Sequence, residues 1–275
     1  MKILVAIKRV ADPDNANKVT IPAGGDRVDT TGMEWKANPF DEYALEAALR
    51  LTENGQQPKA RAGEVLAVTF GPKECETTLR SALATGADKA MRVDAQDAAL
   101  DGHLVARALK VLVEQEKPDV VLLGKQAVDG DTNQVGQILA ELLGWPMATF
   151  VATMQEEQGA LLCGREVDGG SLQVRVKLPA IVTVDLRIVA PTSVYSLKTA
   201  KTFKYNDGVR FAALPAIMAA KKKPLVEVKL ADLAADQGLQ VQYHSFEPPP
   251  ARKAGIKVKD VAELVSRLKN EAKVL

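Results

Sequence analysis

Over its first half the chain alternates short apolar runs with segments whose apolar residues recur at helical spacing, and this order constrains the fold more than any other feature. Ile3 to Ile7, Glu64 to Phe70 (EVLAVTF), Met91 to Val93 and Asp119 to Leu123 (DVVLL) each read as a buried strand. Phe40 to Thr52, Glu74 to Ala84, His103 to Glu116 and Asn133 to Leu143 read as helices. Ala44, Leu45, Ala48, Leu49 and Leu51 make the apolar face of the first; Leu104, Ala108, Leu109 and Leu112 make that of the third. Asn38-Pro39 has the form of an N-cap followed by Pro at the first helical position, and Gly86 and Gly144 close the second and fourth helices. Strands and helices in strict alternation predict an α/β fold, a doubly wound parallel sheet with right-handed crossovers. Ligands in such sheets sit beyond the carboxyl ends of the strands, where the strand order reverses. The loops after Ile7, Phe70 and Leu123 are therefore the ones to inspect.

Composition agrees with that frame. The chain has 275 residues, 47% hydrophobic but only 4% aromatic. Its core must be built of Val, Leu, Ile and Ala, which suits a parallel sheet under Ala-rich helices. From Thr149 the period changes. Val151 to Met154, Ala160 to Cys163 and Leu172 to Lys177 read as short antiparallel strands joined by turns at 157–159 and 168–170. Ile181 to Leu186 is another buried strand. Residues 188–210 read as a long connection with local structure, and connections of that length are usually functional or mobile. A short helix over Leu214 to Ala220 and a strand over Leu225 to Val228 follow. We place an α/β domain at 1–230 and a C-terminal arm at 231–275. The arm holds Pro248-Pro249-Pro250, a stiff extended link, and an amphipathic helix over Val258 to Lys273. Val261, Leu264, Val265 and Leu268 form one stripe there, which a lone arm cannot bury.

Thirty-six basic residues against 35 acidic ones argue against a general nucleic-acid binder. Cys75 and Cys163 stand far apart, without disulfide or metal-site spacing, and read as free thiols. His103 and His244 are equally distant, which argues against a His-based metal site or a Ser-His-Asp triad. No run approaches about 18 apolar residues, so no membrane insertion is expected. The opening MKILVAIKRV reads as the first strand rather than a secretory leader. The expected location is the cytoplasm of a bacterium, or the mitochondrial matrix if the source is eukaryotic.

The segment from Leu122 to Gln137 (LLGKQAVDGDTNQVGQ) carries the most chemistry. A buried strand ends at Gly124, and a polar loop leads into a helix. The unpaired N–H groups and partial positive charge of a helix N-terminus can hold a phosphate. Gly130 and Gly136 allow close approach of a ligand, and Asn133, Gln134 and Gln137 supply neutral donors. It is not a Walker loop. The other reading is a helix capped by Asp131 or Thr132. Asn38-Pro39-Phe40-Asp41 is a second such helix start, with ordinary capping as its alternative. Leu214-Pro215-Ala216-Ile217-Met218 beside Lys221 to Lys223 is either an apolar docking knob with a basic rim or a core helix with a charged exit.

At these residues the sequence resembles the electron-transfer flavoprotein beta-subunit family. The matching segments run in order: VAIKRV at 5–10, NPFDEYALEAALRL at 38–51, FGP at 70–72, RSALATGAD at 80–88 and GKQAVDGDTNQVGQ at 124–137. REVDGG at 165–170, LPAIVTVDLR at 178–187, RFAALPAIMAAKKKP at 210–224 and AGIKVKD at 254–260 continue the series. The resemblance implies an adenine-nucleotide alpha-hydrolase-like domain with a small antiparallel extension and a C-terminal arm packing on the alpha subunit. It implies structural AMP, held by Ala6, Asn38, Pro39, Phe40, Asp41, Phe70 and the loop Gln126, Ala127, Val128, Asp129, Gly130, Asp131, Thr132, Asn133, Gln134, Val135, Gly136 and Gln137.

The resemblance also implies FAD held mainly by the alpha subunit at the interface, with Glu166 near the flavin. Pro13 departs from relatives that place an aromatic there. Arg210, Phe211, Ala212, Ala213, Leu214, Pro215, Ile217 and Met218 resemble the family's docking loop for acyl-CoA dehydrogenases, with Leu214 as anchor, and electrons would pass on to a quinone oxidoreductase. The stretch from Arg187 to Arg210 is longer than in the common family form. The chain is then an electron-carrier subunit and not an enzyme. The alternatives are an electron-bifurcating relative with a second FAD in place of AMP, a stand-alone ATP-binding or ATP-hydrolysing protein of the same fold, and a non-redox scaffold.

Overall fold

A computed structural model describes residues 1–56, 60–234, 238–250 and 254–275. In chain order its elements are β1 (Lys2–Ala6), β2 (Arg9–Ala11), β3 (Trp35–Ala37), α1 (Pro39–Thr52), β4 (Glu64–Gly71), α2 (Glu76–Thr85), β5 (Lys89–Asp94), α3 (Gly102–Glu116) and β6 (Val120–Gly124). These are followed by α4 (Val135–Leu143), β7 (Met147–Glu157), β8 (Ala160–Val167), β9 (Gly170–Lys177), β10 (Ala180–Val184), β11 (Val194–Tyr195), α5 (Leu214–Ala220), β12 (Leu225–Lys229), α6 (Leu230–Ala234) and α7 (Val261–Asn270).

The main sheet runs β12-β5-β4-β1-β6-β10-β7-β8-β9. Every pairing from β12 to β7 is parallel, as is that of β11 with β7; only β8 and β9 run antiparallel. The chain steps outward from β1 to β4 and β5, then crosses back through α3 to place β6 on the other side of β1. The reversal of strand order therefore lies between β1 and β6, whose register pairs Ile3 with Val120 and Val5 with Leu122.

Alternate residues of the central strands serve opposite faces. Ile3 and Val5 join Ala44, Ala48, Leu49, Leu79 and Leu83 under α1 and α2, whereas Leu4 joins Leu109, Leu112 and Leu139 under α3 and α4. Both faces are covered, which is why the strands are continuous apolar runs instead of alternating ones. The doubly wound parallel sheet expected from the pattern is the observed one, and the antiparallel extension is β8 and β9 continuing the same sheet from β7.

Several boundaries differ from expectation. β7 to β9 are longer than the apolar runs suggested. The small ladder of β2 with β3 was not anticipated, since three residues carry no readable period. α4 starts at Val135, after the polar residues had suggested Asn133.

The described chain divides into two compact units, Met1–Val19 with Thr30–Tyr243, and Thr20–Asp29 with His244–Leu275. In the second, Thr20 pairs with Asp29 and the Phe246 amide donates to Gly25 O at 2.7 Å. Its helix α7 is capped by Asp260, which accepts from the Glu263 amide at 2.8 Å. The Lys259 amide, one residue before the cap, donates to Glu263 Oε2 at 2.9 Å. No residue of α7 is buried.

Candidate functional site

The carboxyl ends of β1 and β6 meet the N-terminus of α1, and two side chains of α1's first turn hold the three together. Asn38 occupies the N-cap position, but its side chain makes no capping bond. Nδ2 donates to Gln126 O at 2.8 Å and Oδ1 accepts from the Val128 amide at 3.1 Å. The ordinary-capping alternative at this position thus gives way to a bridge into the loop after β6. Asp41, also buried, accepts from the backbone N–H of Lys8 at 2.8 Å and of Gly124 at 2.9 Å, clipping the exits of β1 and β6 to one carboxylate. Burial pushes Asp41 up to about 7, against the lowering effect of the Lys8 amide, Asn38 and the Gly124 amide. Gly124 is required here: a Cβ would stand 2.5 Å from Phe40 Cβ and 2.6 Å from Asp41 Oδ1.

The loop from Lys125 to Gln134 is held open rather than wound into helix. Asp131 and Asn133 both have φ of +49°, left-handed values that stop the helix from starting earlier, so neither Asp131 nor Thr132 caps it. Gln126 Nε2 donates to Asp131 Oδ1 at 2.8 Å, and the Asp131 amide reaches Ala127 O at 2.9 Å. Lys8 Nζ bonds both oxygens of Asp129 at 2.7 Å, neutralising the acid beside the loop. Gln137 Nε2 donates to Asn133 Oδ1 at 2.8 Å. Gly136 lets α4 pack on β10, since a Cβ would meet Thr183 Cγ2 at 2.6 Å. Gly130, Thr132 and Gln134 are exposed at the rim, and Val135 packs on the core.

Seven buried polar atoms among the described residues have no protein hydrogen-bond partner, among them Gln137 Oε1 in the first turn of α4 and Thr69 Oγ1 near the end of β4. Thr69 precedes Phe70, which with Ala6 is partly buried on the α3–α4 side of the sheet. Buried polar atoms nearly always find a partner, so Gln137 Oε1 and Thr69 Oγ1 are each open to a bond from water or from a ligand at the strand ends. The donors are backbone amides, amide side chains and a lysine next to β1. That set can hold a phosphate and offers no metal-ligand cluster among the described residues.

Glu166 lies on β8, away from this rim, beside a cavity of about 660 Å³ lined by Tyr43, Thr153, Leu186, Arg187, Ser193, Val209 and Phe211 among others. Arg187 Nη1 stands 3.6 Å from Glu166 Oε2 and 3.2 Å from Asp185 Oδ1. Pro13 is exposed and opens a short 3-10 turn over Pro13–Lys18.

The docking candidates divide. Arg210 is drawn onto α1, where Nε bonds Glu46 Oε2 at 2.7 Å and Nη2 bonds Glu53 Oε2 at 3.2 Å. Ala212 packs on the core. Phe211 is 94% exposed and Leu214 72%, and Ile217, Met218, Ala213 and Pro215 also face out, so 211, 214, 217 and 218 make an apolar surface. Lys8, Thr69, Lys125 and Asp185 were not singled out from the sequence. Lys8 and Lys125 each fall one or two residues past a strand end, the position that would have marked them. Cys75 and Cys163 are buried free thiols, pushed up by burial to about 11 and about 12.

The family model described as "Electron transfer flavoprotein domain" matches residues 27–233. Over 275 residues the chain is 44% identical to the electron transfer flavoprotein subunit beta of Bradyrhizobium diazoefficiens, covering all of both chains. It is 41% identical over 277 residues to the mitochondrial subunit beta of Arabidopsis thaliana, again over all of both. It is 42% identical over 277 residues to the human subunit beta, covering all of this chain and 99% of that one.

Proposed function

Because this chain belongs to the electron-transfer flavoprotein family, as a beta subunit and thus part of an electron carrier rather than an enzyme, we propose that it binds AMP as a structural element at the strand-end rim. In this reading it encloses FAD held mainly by an alpha subunit and docks dehydrogenases. The observation that carries the AMP assignment is the rim itself. Asn38 and Asp41 tie the ends of β1, α1 and β6 into one frame, and Gln137 Oε1 and Thr69 Oγ1 are left buried without partners.

Backbone amides of residues 132–134 and the N-terminus of α4 would hold the phosphate. Asn133, Gln134 and Gln137 supply neutral donors, and Lys8 keeps Asp129 from repelling the anion. FAD, when bound, supplies the one-electron chemistry of the carrier. Around Glu166 the chain offers two carboxylates, Glu166 and Asp207, one guanidinium and largely apolar walls, which fit the edge of a flavin held by another polypeptide. The exposed surface of Phe211, Leu214, Ile217 and Met218, next to Lys221 and Lys222, suits a dehydrogenase with an apolar pocket and acidic rim, such as an acyl-CoA dehydrogenase. Electrons would leave to a quinone oxidoreductase.

No described helix is long and apolar enough to cross a membrane, and we place the carrier in a bacterial cytoplasm or a mitochondrial matrix. Mass spectrometry of small molecules released from the purified complex tests the reading. FAD and AMP together are expected. Two FAD without AMP would identify the bifurcating alternative, and a complex without adenine nucleotide would overturn the assignment.

A further inference from the structure

Between the nucleotide rim and Glu166 runs a chain of alternating charges. Lys125 directly follows Gly124, and its Nζ lies 2.9 Å from Asp185 Oδ2, 5.1 Å from the centroid of the Phe40 ring and 5.7 Å from that of Phe150. The ammonium is thus set between two aromatic rings and one carboxylate, and one of the rings belongs to the rim. The Asp185 side chain is 4% exposed. Its other oxygen, Oδ1, accepts from the Arg187 amide at 3.1 Å and from Arg187 Nη1 at 3.2 Å. The same Nη1 faces Glu166 Oε2 at 3.6 Å.

Asp185 is therefore the one buried member of the series, gripping the rim lysine with one oxygen and the arginine of Glu166 with the other. Burial works to raise this carboxyl, and the bonds from Lys125 and the Arg187 amide outweigh it and hold it below its ordinary value, charged. The backbone beside this chain of contacts is itself constrained. Phe150 has φ of +56°, rare for a bulky residue, at a place where the register between β7 and β10 shifts.

We propose that Asp185 is a positioning residue that couples occupancy of the nucleotide rim to the setting of Glu166. The proposal rests on the reading above, in which the rim takes AMP and Glu166 faces the flavin. Its physical content is linkage: if a nucleotide shifts Phe40 and Lys125, the lysine's bond to Asp185 changes, and with it the hold of Asp185 on Arg187. Such coupling is reciprocal, so a change at Arg187 must alter nucleotide affinity although Arg187 lies on the Glu166 side of Asp185. A bland role competes, because Asp185 also caps the 3-10 turn over Leu186–Val189. Asn caps as well as Asp and keeps the shape, but it lacks the charge that grips Lys125.

The test is a double-mutant cycle read as AMP affinity of the purified heterodimer by equilibrium dialysis with labelled AMP. Arg187 is more than half exposed, so Arg187→Met should fold normally. We expect it to change AMP affinity about threefold or more, Arg187→Lys to restore most of the change, and the effect to vanish in an Asp185→Asn background. An effect of equal size in both backgrounds would mean ordinary electrostatics through solvent, and would overturn the proposal, as would no effect at all. Should Asp185→Asn not fold, Lys125→Met provides the second background, with the same outcomes. If the wild-type heterodimer takes up no AMP, the nucleotide assignment itself fails, a result separate from a bound nucleotide indifferent to Arg187.

Discussion

Asn38 and Asp41 sit where helices ordinarily take a cap and a first-turn acid, yet neither spends its side chain on its own helix. Each satisfies backbone groups of other elements, Gln126 and Val128 for Asn38, Lys8 and Gly124 for Asp41. The sequence NPFD is compatible with both uses, because the same short polar side chains that cap a helix also bond any backbone brought within reach. What made the difference is Gly124, which lets α1's first turn approach within the space of a missing Cβ. Asp41 has a pH consequence. Its carboxyl rises from 3.8 to about 7 on folding, so between those values the native state holds a proton that the unfolded chain releases. Asp41 therefore contributes stability below about pH 4 that is lost as pH rises through about 7. Relative to Asp41→Asn, the wild-type unfolding free energy should fall with pH across that window, as measured by urea denaturation at fixed pH steps. Parallel curves for the two proteins would contradict it.

At the scale of elements, the connection from Leu186 to α5 is the part the periodicity left blank, and the structure shows why. Its order comes from single polar side chains and not from an apolar repeat. Arg50 of α1, fully buried, donates to the carbonyls of Val189, Ala190, Asn206 and Gly208 at 2.8–3.0 Å and to Glu46 Oε1 at 2.7 Å. The Tyr205 ring lies 4.8 Å from its guanidinium carbon. One cation thus gathers carbonyls from both ends of the segment, a job that no window of the segment's own sequence can reveal. Arg50→Met should cost about 3–5 kcal/mol, as loss of one partner from a buried charge network does. Hydrogen exchange should then quicken over residues 189–210 and stay slow in β1 and β6; unchanged protection of the segment would refute this. α5 offers the contrasting case. Leu214 is exposed, so Leu214→Ala should leave the unfolding midpoint nearly unaltered. If it is the docking anchor, the KM for the dehydrogenase should rise roughly 30-fold, the size of a truncated hot spot of ~2 kcal/mol. Flavin content should not change. Equal kinetics with candidate dehydrogenases would remove Leu214 from that role.

For the whole molecule, the parallel sheet supplies rigidity, and we assign the partner contacts to the appended parts. β1 and β6 are flanked on both sides and covered on both faces, so the loops they carry start from fixed points. α7 is a different kind of object, a capped amphipathic helix whose Val261, Leu264 and Val265 remain exposed. Such a stripe fits the expected packing of the arm on an alpha subunit. Replacing Leu264 and Val265 with Asp should leave this chain folded and lower the yield of heterodimer about tenfold, the effect of ~1.4 kcal/mol or more at an interface. Size-exclusion chromatography after co-expression would report it, and an undiminished heterodimer peak would assign the stripe elsewhere.

By itself the sequence determined the class of fold, the polar loop that follows β6 and the family, because strand and helix periods and ordered motifs are local properties of a chain. It did not determine what Asn38, Asp41, Arg50 and Asp185 bond to. Apart from Glu46 and Arg187, these partners lie roughly 30 to 160 positions away, and a polar side chain is read in sequence by its neighbours, whereas its energy is decided by whichever backbone or charge the packed sheet brings to it. Only the tertiary structure made that choice.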